Sequence, residues 1–168
     1  GFSLAGGWGE SIEGGGDYGI HVDGATNAAI EDLVIKGGRI SGFYYGLFCE
    51  YMNNSRIERL VVSGSANTGG PLNGVSGQCN GNTIADCTIS DNSVGVYLYG
   101  GSGQCNGNRV HGNQISKNLS GGIYLYYADG NRVEANNLWG AGKVISYGLK
   151  TDDTCTENFI LKNACVGY

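Results

Sequence analysis

Apolar residues recur along this chain in columns at long, nearly regular intervals. One column contains Ile30, Ile57, Ile84, Val110, Val133 and Ile160, and a second follows five residues later at Ile35, Val62, Ile89, Ile115, Leu138 and Cys165. Polar residues fill most of the space between the columns. The spacing predicts about six to seven repeated units of 23–28 residues.

The repetition is plainest in two near copies, GQCNGNTIADCTISDN and GQCNGNRVHGNQISKN, which begin at Gly77 and Gly103. A third column in most units is a glycine followed by an alternating run, as in Gly95-Val96-Tyr97-Leu98-Tyr99. Alternation with period two buries one face of a strand, and no stretch shows the 3.6-residue period of a helix. Identical short strands stacked unit on unit, with apolar side chains inward, predict an all-β fold, a single-stranded parallel β-helix.

Composition supports frequent tight turns, because the chain has 32 glycines and one proline. Asparagine recurs at equivalent turn positions. One such column is Asn113, Asn136 and Asn163, and another contains Asn92 and Asn118. Asparagine tolerates left-handed backbone, and stacked copies can bond each other's amides, so these columns are predicted to be structural.

The segment from Asn108 to Asn118, NRVHGNQISKN, followed by Gly122-Ile123-Tyr124-Leu125, resembles the right-handed parallel β-helix repeat of the pectin-lyase-like superfamily. The resemblance covers roughly residues 17–168, and it implies right-handed coiling. It does not fix function, because pectate lyases, polygalacturonases, alginate epimerases, phage tailspikes and noncatalytic surface proteins share the scaffold.

We expect one domain over residues 1–168. Residues 1–16 are predicted to be an irregular glycine-rich lead-in or a partial first rung, and residues 63–73 a projecting loop. No stretch is long and apolar enough for a membrane span. Six cysteines favour an extracellular or periplasmic location.

Cys79 and Cys105 occupy the same place in adjacent units, where a disulfide is predicted. No C-x-x-C pair exists and both histidines lie elsewhere, so no metal site and no cofactor are predicted. Calcium is possible as a bridge to an anionic polymer, but nothing indicates it. The net charge of −5 and scattered basic residues argue against nucleic acid.

The outward positions of the glycine-led strands form stripes along the predicted helix axis. Aromatic rings flanked by polar groups suit sugars, so we expect these positions to bind polysaccharide. The predicted ligand-binding residues are Phe48, Glu50, Tyr97, Tyr99, Tyr124, Tyr126 and Lys150. Two other roles stay open for the tyrosines: strengthening the sheet by stacking, or forming a protein interface.

Hydrolases of the superfamily resemble one another in placing several aspartates on adjacent rungs, which suggests Asp152 here. The segment from Asp17 to Asp23, DYGIHVD, is similar to a stretch of alginate epimerases, although it lacks their proline. His21, Asp23 and Asp152 are therefore the candidate catalytic residues, with exposed strand or turn positions as the simpler interpretation of each.

Three functions follow in order. The first is a secreted module that binds polysaccharide along the tyrosine face, with catalysis unproven. The second is a structural protein that stacks head-to-tail into a filament through uncapped ends, so that its partner is itself. The third is a truncated polysaccharide lyase, epimerase or glycosidase.

Overall fold

The computed structural model describes residues 18–24, 28–64, 79–100, 105–140 and 147–168, together with the backbone of the strand Phe2–Ala5. Most of the predicted lead-in and of the predicted loop at 63–73 lies outside these residues. Within them, no helix has the length and hydrophobicity of a membrane span.

Every regular element in the described part of the chain is a strand. In chain order they are β1 (Phe2–Ala5), β2 (Tyr18–Asp23), β3 (Ile30–Glu31), β4 (Val34–Lys36), β5 (Gly38–Ser41), β6 (Tyr45–Glu50), β7 (Met52–Asn53), β8 (Arg56–Glu58), β9 (Val61–Ser63), β10 (Thr83–Ala85), β11 (Thr88–Ser90), β12 (Val94–Tyr99), β13 (Arg109–His111), β14 (Gln114–Ser116), β15 (Gly121–Tyr126), β16 (Arg132–Glu134), β17 (Asn137–Trp139), β18 (Tyr147–Thr151), β19 (Phe159–Leu161) and β20 (Ala164–Val166).

The strands form three long faces of a parallel solenoid of about five turns. One face is a seven-stranded sheet, β1-β5-β9-β11-β14-β17-β20, and a second is a six-stranded sheet, β4-β8-β10-β13-β16-β19. The third contains the pair β2-β6 and the trio β12-β15-β18, while β3 pairs with β7 beside it. The predicted all-β parallel β-helix is confirmed.

The predicted apolar columns form the core. Ile57 lies beside Ile84 and then Val110, Val133 and Ile160 in successive parallel pairs. Ile57, Ile84, Val110 and Val133 are each at most 1% exposed. Each side chain therefore packs against its own equivalent one turn away, and the apolar interior is continuous along the axis.

The register predicted for the first unit is wrong by five residues. Ile35 pairs with Ile57, and Ile40 pairs with Val62, whereas Ile30 pairs with Met52 in the additional strands β3 and β7. Apolar residues recur at five-residue steps in this unit, so a slip of five leaves the pattern of the sequence unchanged.

The asparagine columns are confirmed as buried hydrogen-bond ladders. In one ladder, Asn113 donates from its backbone N–H and its side-chain amide to Oδ1 of Asn136, at 3.0 Å each. Asn136 makes the same pair of bonds to Asn163. The N–H groups of each asparagine thus donate to the side-chain oxygen of the asparagine one turn further on. These buried polar groups are hydrogen-bonded within the protein and need no water.

The predicted disulfide between Cys79 and Cys105 is absent, and both residues are free thiols with no exposed surface. The thiol of Cys79 instead donates to the carbonyl of Cys49 at 3.3 Å. Equivalent residues of a parallel stack are separated by the inter-strand distance of roughly 4.8 Å. Stacking in register thus brings the two cysteines close without bridging them: the Cys79 thiol bonds a carbonyl, and the Cys105 sulfur accepts from Nδ2 of Asn108 at 3.6 Å.

Candidate functional site

The third face of the solenoid carries the glycine-led strands. Glycine is the second residue of these strands because the turns approach closely there: a Cβ on Gly122 would lie 2.5 Å from the carbonyl oxygen of Gly148. Side chains after the glycine alternate, so Val96 and Leu98 are fully buried while Tyr97 and Tyr99 are partly exposed. The outward side chains of successive turns therefore stack in straight rows.

Near the start of this face, His21, Asp23 and Glu50 converge; we call them the His–carboxylate cluster. His21 and Asp23 are two residues apart on β2 and point to the same side, while Glu50 is the register partner of Asp23 on β6. One nitrogen or oxygen from each residue lies within 4.8 Å of the others. The His21 Nε2 atom is 3.9 Å from Oε2 of Glu50, and the two side chains are 33% and 19% exposed. The cluster is open to solvent on one side.

Aromatic rings support the cluster. The Tyr18 ring stacks on the imidazole of His21 with centroids 4.4 Å apart, and Tyr45 stacks on Tyr18 at 5.2 Å. Phe48 is the register partner of His21 and contacts the rings of Tyr18, Tyr45 and His21. Phe48 is only 6% exposed and packs beside the histidine, and its contact with a ligand stays a prediction.

Farther along the face stands the tyrosine ladder, formed by Tyr97, Tyr99, Tyr124 and Tyr126. Tyr97 and Tyr124 stack with centroids 5.1 Å apart and planes 9° from parallel, and Tyr99 and Tyr126 stack at 5.2 Å and 17°. Each ring thus covers one face of its partner. Burial, together with the neighbouring tyrosines, raises the pKa of Tyr97, so the phenol stays protonated.

Lys150 lies at the far end of the tyrosine ladder. Its Nζ atom lies 4.7 Å from the ring centroid of Tyr124 and 5.7 Å from that of Tyr147. Tyr147 also meets Tyr124 edge-on at 5.7 Å, and burial raises its pKa to about 12. Lys150 therefore makes a cation–π contact inside the chain.

Asp152 follows β18 and does not meet the other catalytic candidates. It lies five turns from His21 and Asp23, roughly 24 Å along the axis at about 4.8 Å per turn. Its Oδ1 accepts hydrogen bonds from the hydroxyl of Thr154 at 2.6 Å and the thiol of Cys155 at 3.1 Å. Burial acts to raise the pKa of Asp152, but these hydrogen bonds outweigh it and the net shift is downward. The carboxylate stabilises the turn that follows the strand.

Three tyrosines of this face, Tyr18, Tyr45 and Tyr147, were not predicted as site residues from the sequence. Each precedes the glycine of its strand, at Tyr18-Gly19, Tyr45-Gly46 and Tyr147-Gly148. This recurring Tyr-Gly pair was the pattern that could have revealed them. Tyr18 and Tyr45 support His21, and Tyr147 extends the packing of the ladder.

Comparison with known proteins gives one family. A family model described as "Periplasmic copper-binding protein (NosD)" matches residues 9–168. No curated protein and no solved structure matches the chain. The expectation that no cofactor is involved is therefore wrong, because the matching family is described as binding copper. The family fold is a right-handed β-helix of the pectin-lyase-like type and its location is periplasmic, in agreement with the fold, resemblance and location predicted from the sequence. The match covers nearly the whole chain, which accordingly belongs to the NosD family of periplasmic copper-binding β-helix proteins.

Proposed function

We propose that this chain binds copper(II) at the His–carboxylate cluster. The observation that carries the proposal is the convergence of one imidazole nitrogen and two carboxylate oxygens within 4.8 Å of one another on a partly exposed face. Among the described residues, this is the one group of three or more histidine, cysteine or acidic side chains with such spacing. The family description, periplasmic copper-binding protein, supplies the metal.

The chemistry of these donors suits copper(II). Imidazole and carboxylate are ligands of divalent copper, and copper(II) exceeds the other divalent first-row metals in affinity for a given set of nitrogen and oxygen donors. His21 would supply the nitrogen, and Asp23 and Glu50 would supply the oxygens. The stacking of Tyr18 on His21 holds the imidazole on the side of the carboxylates, so little side-chain freedom is lost on binding.

The buried cysteines are less suitable as copper ligands. Burial raises the pKa of Cys79 above the ordinary thiol value, and it raises the pKa of Cys49 and of Cys105 well above that value. All three thiols therefore stay protonated. A metal ligand must be the thiolate. All three side chains also have no exposed surface.

The experiment exploits the fact that the chain has two histidines. His111 lies on β13, on another face, and serves as the matched control. Copper(II) is titrated into the tag-free chain and followed by calorimetry and electron paramagnetic resonance. We expect the wild type and His111→Ala to bind one copper(II) with nitrogen coupling, and His21→Ala to lose that coupling and at least roughly tenfold in affinity.

Glu50→Gln provides the second arm, because it removes a charge and keeps the shape. It should weaken copper(II) binding while nitrogen coupling persists. Equal binding by His21→Ala and the wild type would overturn the assignment, as would loss of nitrogen coupling in His111→Ala alone.

The tyrosine face supports a second candidate function, polysaccharide binding. The supporting observation is the stacking of Tyr97 on Tyr124 and of Tyr99 on Tyr126 along a partly exposed face. Because one face of each ring is covered by its partner, we expect hydrogen bonds from the phenol groups to contribute more to holding a glycan than stacking does. Tyr99→Phe combined with Tyr126→Phe removes two hydroxyls and keeps the stack, so weaker retention on immobilised glycans is the expected result. Unchanged retention would assign the ladder to architecture.

Catalysis by His21, Asp23 or Asp152 and head-to-tail assembly stay predictions. Loss of lyase or hydrolase activity in His21→Ala or Asp152→Asn, with the fold retained, would support catalysis. Filaments in negative-stain micrographs over a concentration series would support assembly.

A further inference from the structure

The seven-stranded sheet carries an exposed tryptophan near its last strand, beside the equally exposed Val166. Trp139 is the last residue of β17 and is 58% exposed. Its inward neighbour, Leu138, is fully buried, so the indole stands outward on the sheet. Among the described residues no aromatic ring lies against it, in contrast to the tyrosines of the third face. An exposed indole that no aromatic ring covers offers a surface on which a ligand can stack.

A shallow open groove of about 260 Å³ runs between this indole and the preceding turn; we call it the tryptophan groove. Its lining residues are Gln114, Ile115, Ser116, Lys117, Asn137, Trp139 and Gly140. The volume lies below the range of about 300–1,000 Å³ for enclosed small-molecule pockets, so the groove fits one ring of a longer ligand.

The polar groups of the groove are arranged for hydrogen bonding. Asn137 donates from Nδ2 to Oε1 of Gln114 at 3.2 Å, and this contact fixes the orientation of both amides. Each amide keeps further donor or acceptor capacity toward solvent. Lys117 is exposed and forms no ion pair with any described residue, so its charge is available to a ligand. An indole face, two fixed amides and a free ammonium together match a sugar ring that bears a carboxylate.

A row of serines leads along the same sheet to the indole. Ser41, Ser63, Ser90 and Ser116 are register partners in consecutive turns, and Ser116 is the partner of Trp139. All four are half-buried. The row is straight and follows the solenoid axis, and its hydroxyls recur at roughly 4.8 Å. Such a track suits an extended polymer of hydroxyl-bearing units.

We infer that the tryptophan groove is a binding site for an acidic, uronate-containing oligosaccharide. One sugar ring stacks on Trp139, its carboxylate pairs with Lys117, and the chain continues over the serine row. This site lies on a different sheet from the His–carboxylate cluster and the tyrosine ladder, and it needs no metal.

The test is a titration of the full chain with an oligogalacturonate and with its carboxyl-reduced, neutral form, in the presence of a chelator so that copper plays no part. Affinity is measured by calorimetry, and the indole environment is followed by fluorescence after Trp8→Phe, since the chain has two tryptophans. We expect the oligouronate to bind more tightly than the neutral form and to change the fluorescence of Trp139.

Variants identify the residues. Trp139→Ala should weaken binding of the oligouronate roughly tenfold or more. Lys117→Ala should weaken binding of the oligouronate and leave binding of the neutral form unchanged. Phe159→Ala removes a comparably exposed ring, 61% exposed, from the six-stranded sheet and should change neither affinity. Wild-type affinity in Trp139→Ala, or failure of the wild type to bind either sugar, would overturn the inference whatever the copper titration shows.

Discussion

The side-chain oxygen of Asn108 accepts two hydrogen bonds from Asn82, one from its backbone N–H at 2.9 Å and one from its side-chain amide at 3.2 Å. Asn108 in turn donates from Nδ2 to the carbonyl of Cys79 at 2.9 Å. Both asparagines are fully buried. One side chain thus joins two turns of the solenoid and satisfies polar groups that no water reaches.

Asn108→Ala should be strongly destabilising for this reason. It leaves the backbone N–H of Asn82 and the carbonyl of Cys79 without these partners, and each unpaired buried group costs about 1–3 kcal/mol. We expect a clear fall in the urea midpoint of unfolding, measured by circular dichroism. Asn137→Ala, on an exposed amide, is the matched control and should have little effect. Similar midpoints for the two variants would contradict the structural role of the ladder.

Removal of one ring from the tyrosine ladder should also weaken the solenoid. Tyr97→Ala deletes its stacking on Tyr124 and on Tyr99, and we expect a loss of about 1–3 kcal/mol in the free energy of unfolding. Tyr97→Phe keeps the ring and should stay close to the wild type. If both variants unfold like the wild type, the ladder contributes no stability.

The outer surface of the six-stranded sheet contains a pH-sensitive group. Arg132 and Arg109 donate hydrogen bonds to Glu134 and lower its pKa to about 2. A depressed pKa means that its stabilising contribution is complete above the unfolded value of about 4.3 and is lost as the pH falls toward 2. Glu134→Gln should therefore lower the melting temperature slightly at pH 7 and flatten its decline between about pH 4.5 and 2, as measured by thermal scans. A decline parallel to that of the wild type would exclude this group as a contributor.

Thiol reactivity should follow burial. Cys49, Cys79 and Cys105 are closed into the core and their pKa values are raised, whereas Cys165 is exposed. Native alkylation followed by mass spectrometry should label Cys165 first and the four buried thiols, which include Cys87, only after denaturation. Six labels on the denatured, unreduced chain would confirm that every cysteine is free, and fewer labels would indicate a bridge.

The sequence predicted the fold well because each turn repeats the same chemistry. The register of Ile57, Ile84 and Val110 followed from spacing alone, since a parallel stack places equivalent residues side by side. The first unit failed because Ile30, Ile35 and Ile40 are equally spaced, and only pairing in three dimensions distinguishes the two alignments.

The individual residues of the candidate site were predicted, but their arrangement was not. His21, Asp23 and Glu50 were each identified as outward residues, but their convergence depends on side-chain direction across two turns, which the spacing does not give. The role of the tyrosine ladder likewise depends on the orientation of its rings, because tyrosines at equivalent positions can offer their faces to a ligand or to each other. Trp139 passed unnoticed because it replaces a serine in the outward column of Ser90 and Ser116.

The shared register makes the length of this molecule adjustable in whole turns. Joining Cys79 directly to Asn106 would remove 26 residues and bring Ile57 beside Val110, with every core column and asparagine ladder continuing across the junction. An excision that did not correspond to a whole number of turns would shift all three sheets at once. Duplication or loss of one turn is thus the natural step by which such a chain evolves, and it alters the distance between the histidine at one end and the tryptophan near the other without disturbing either.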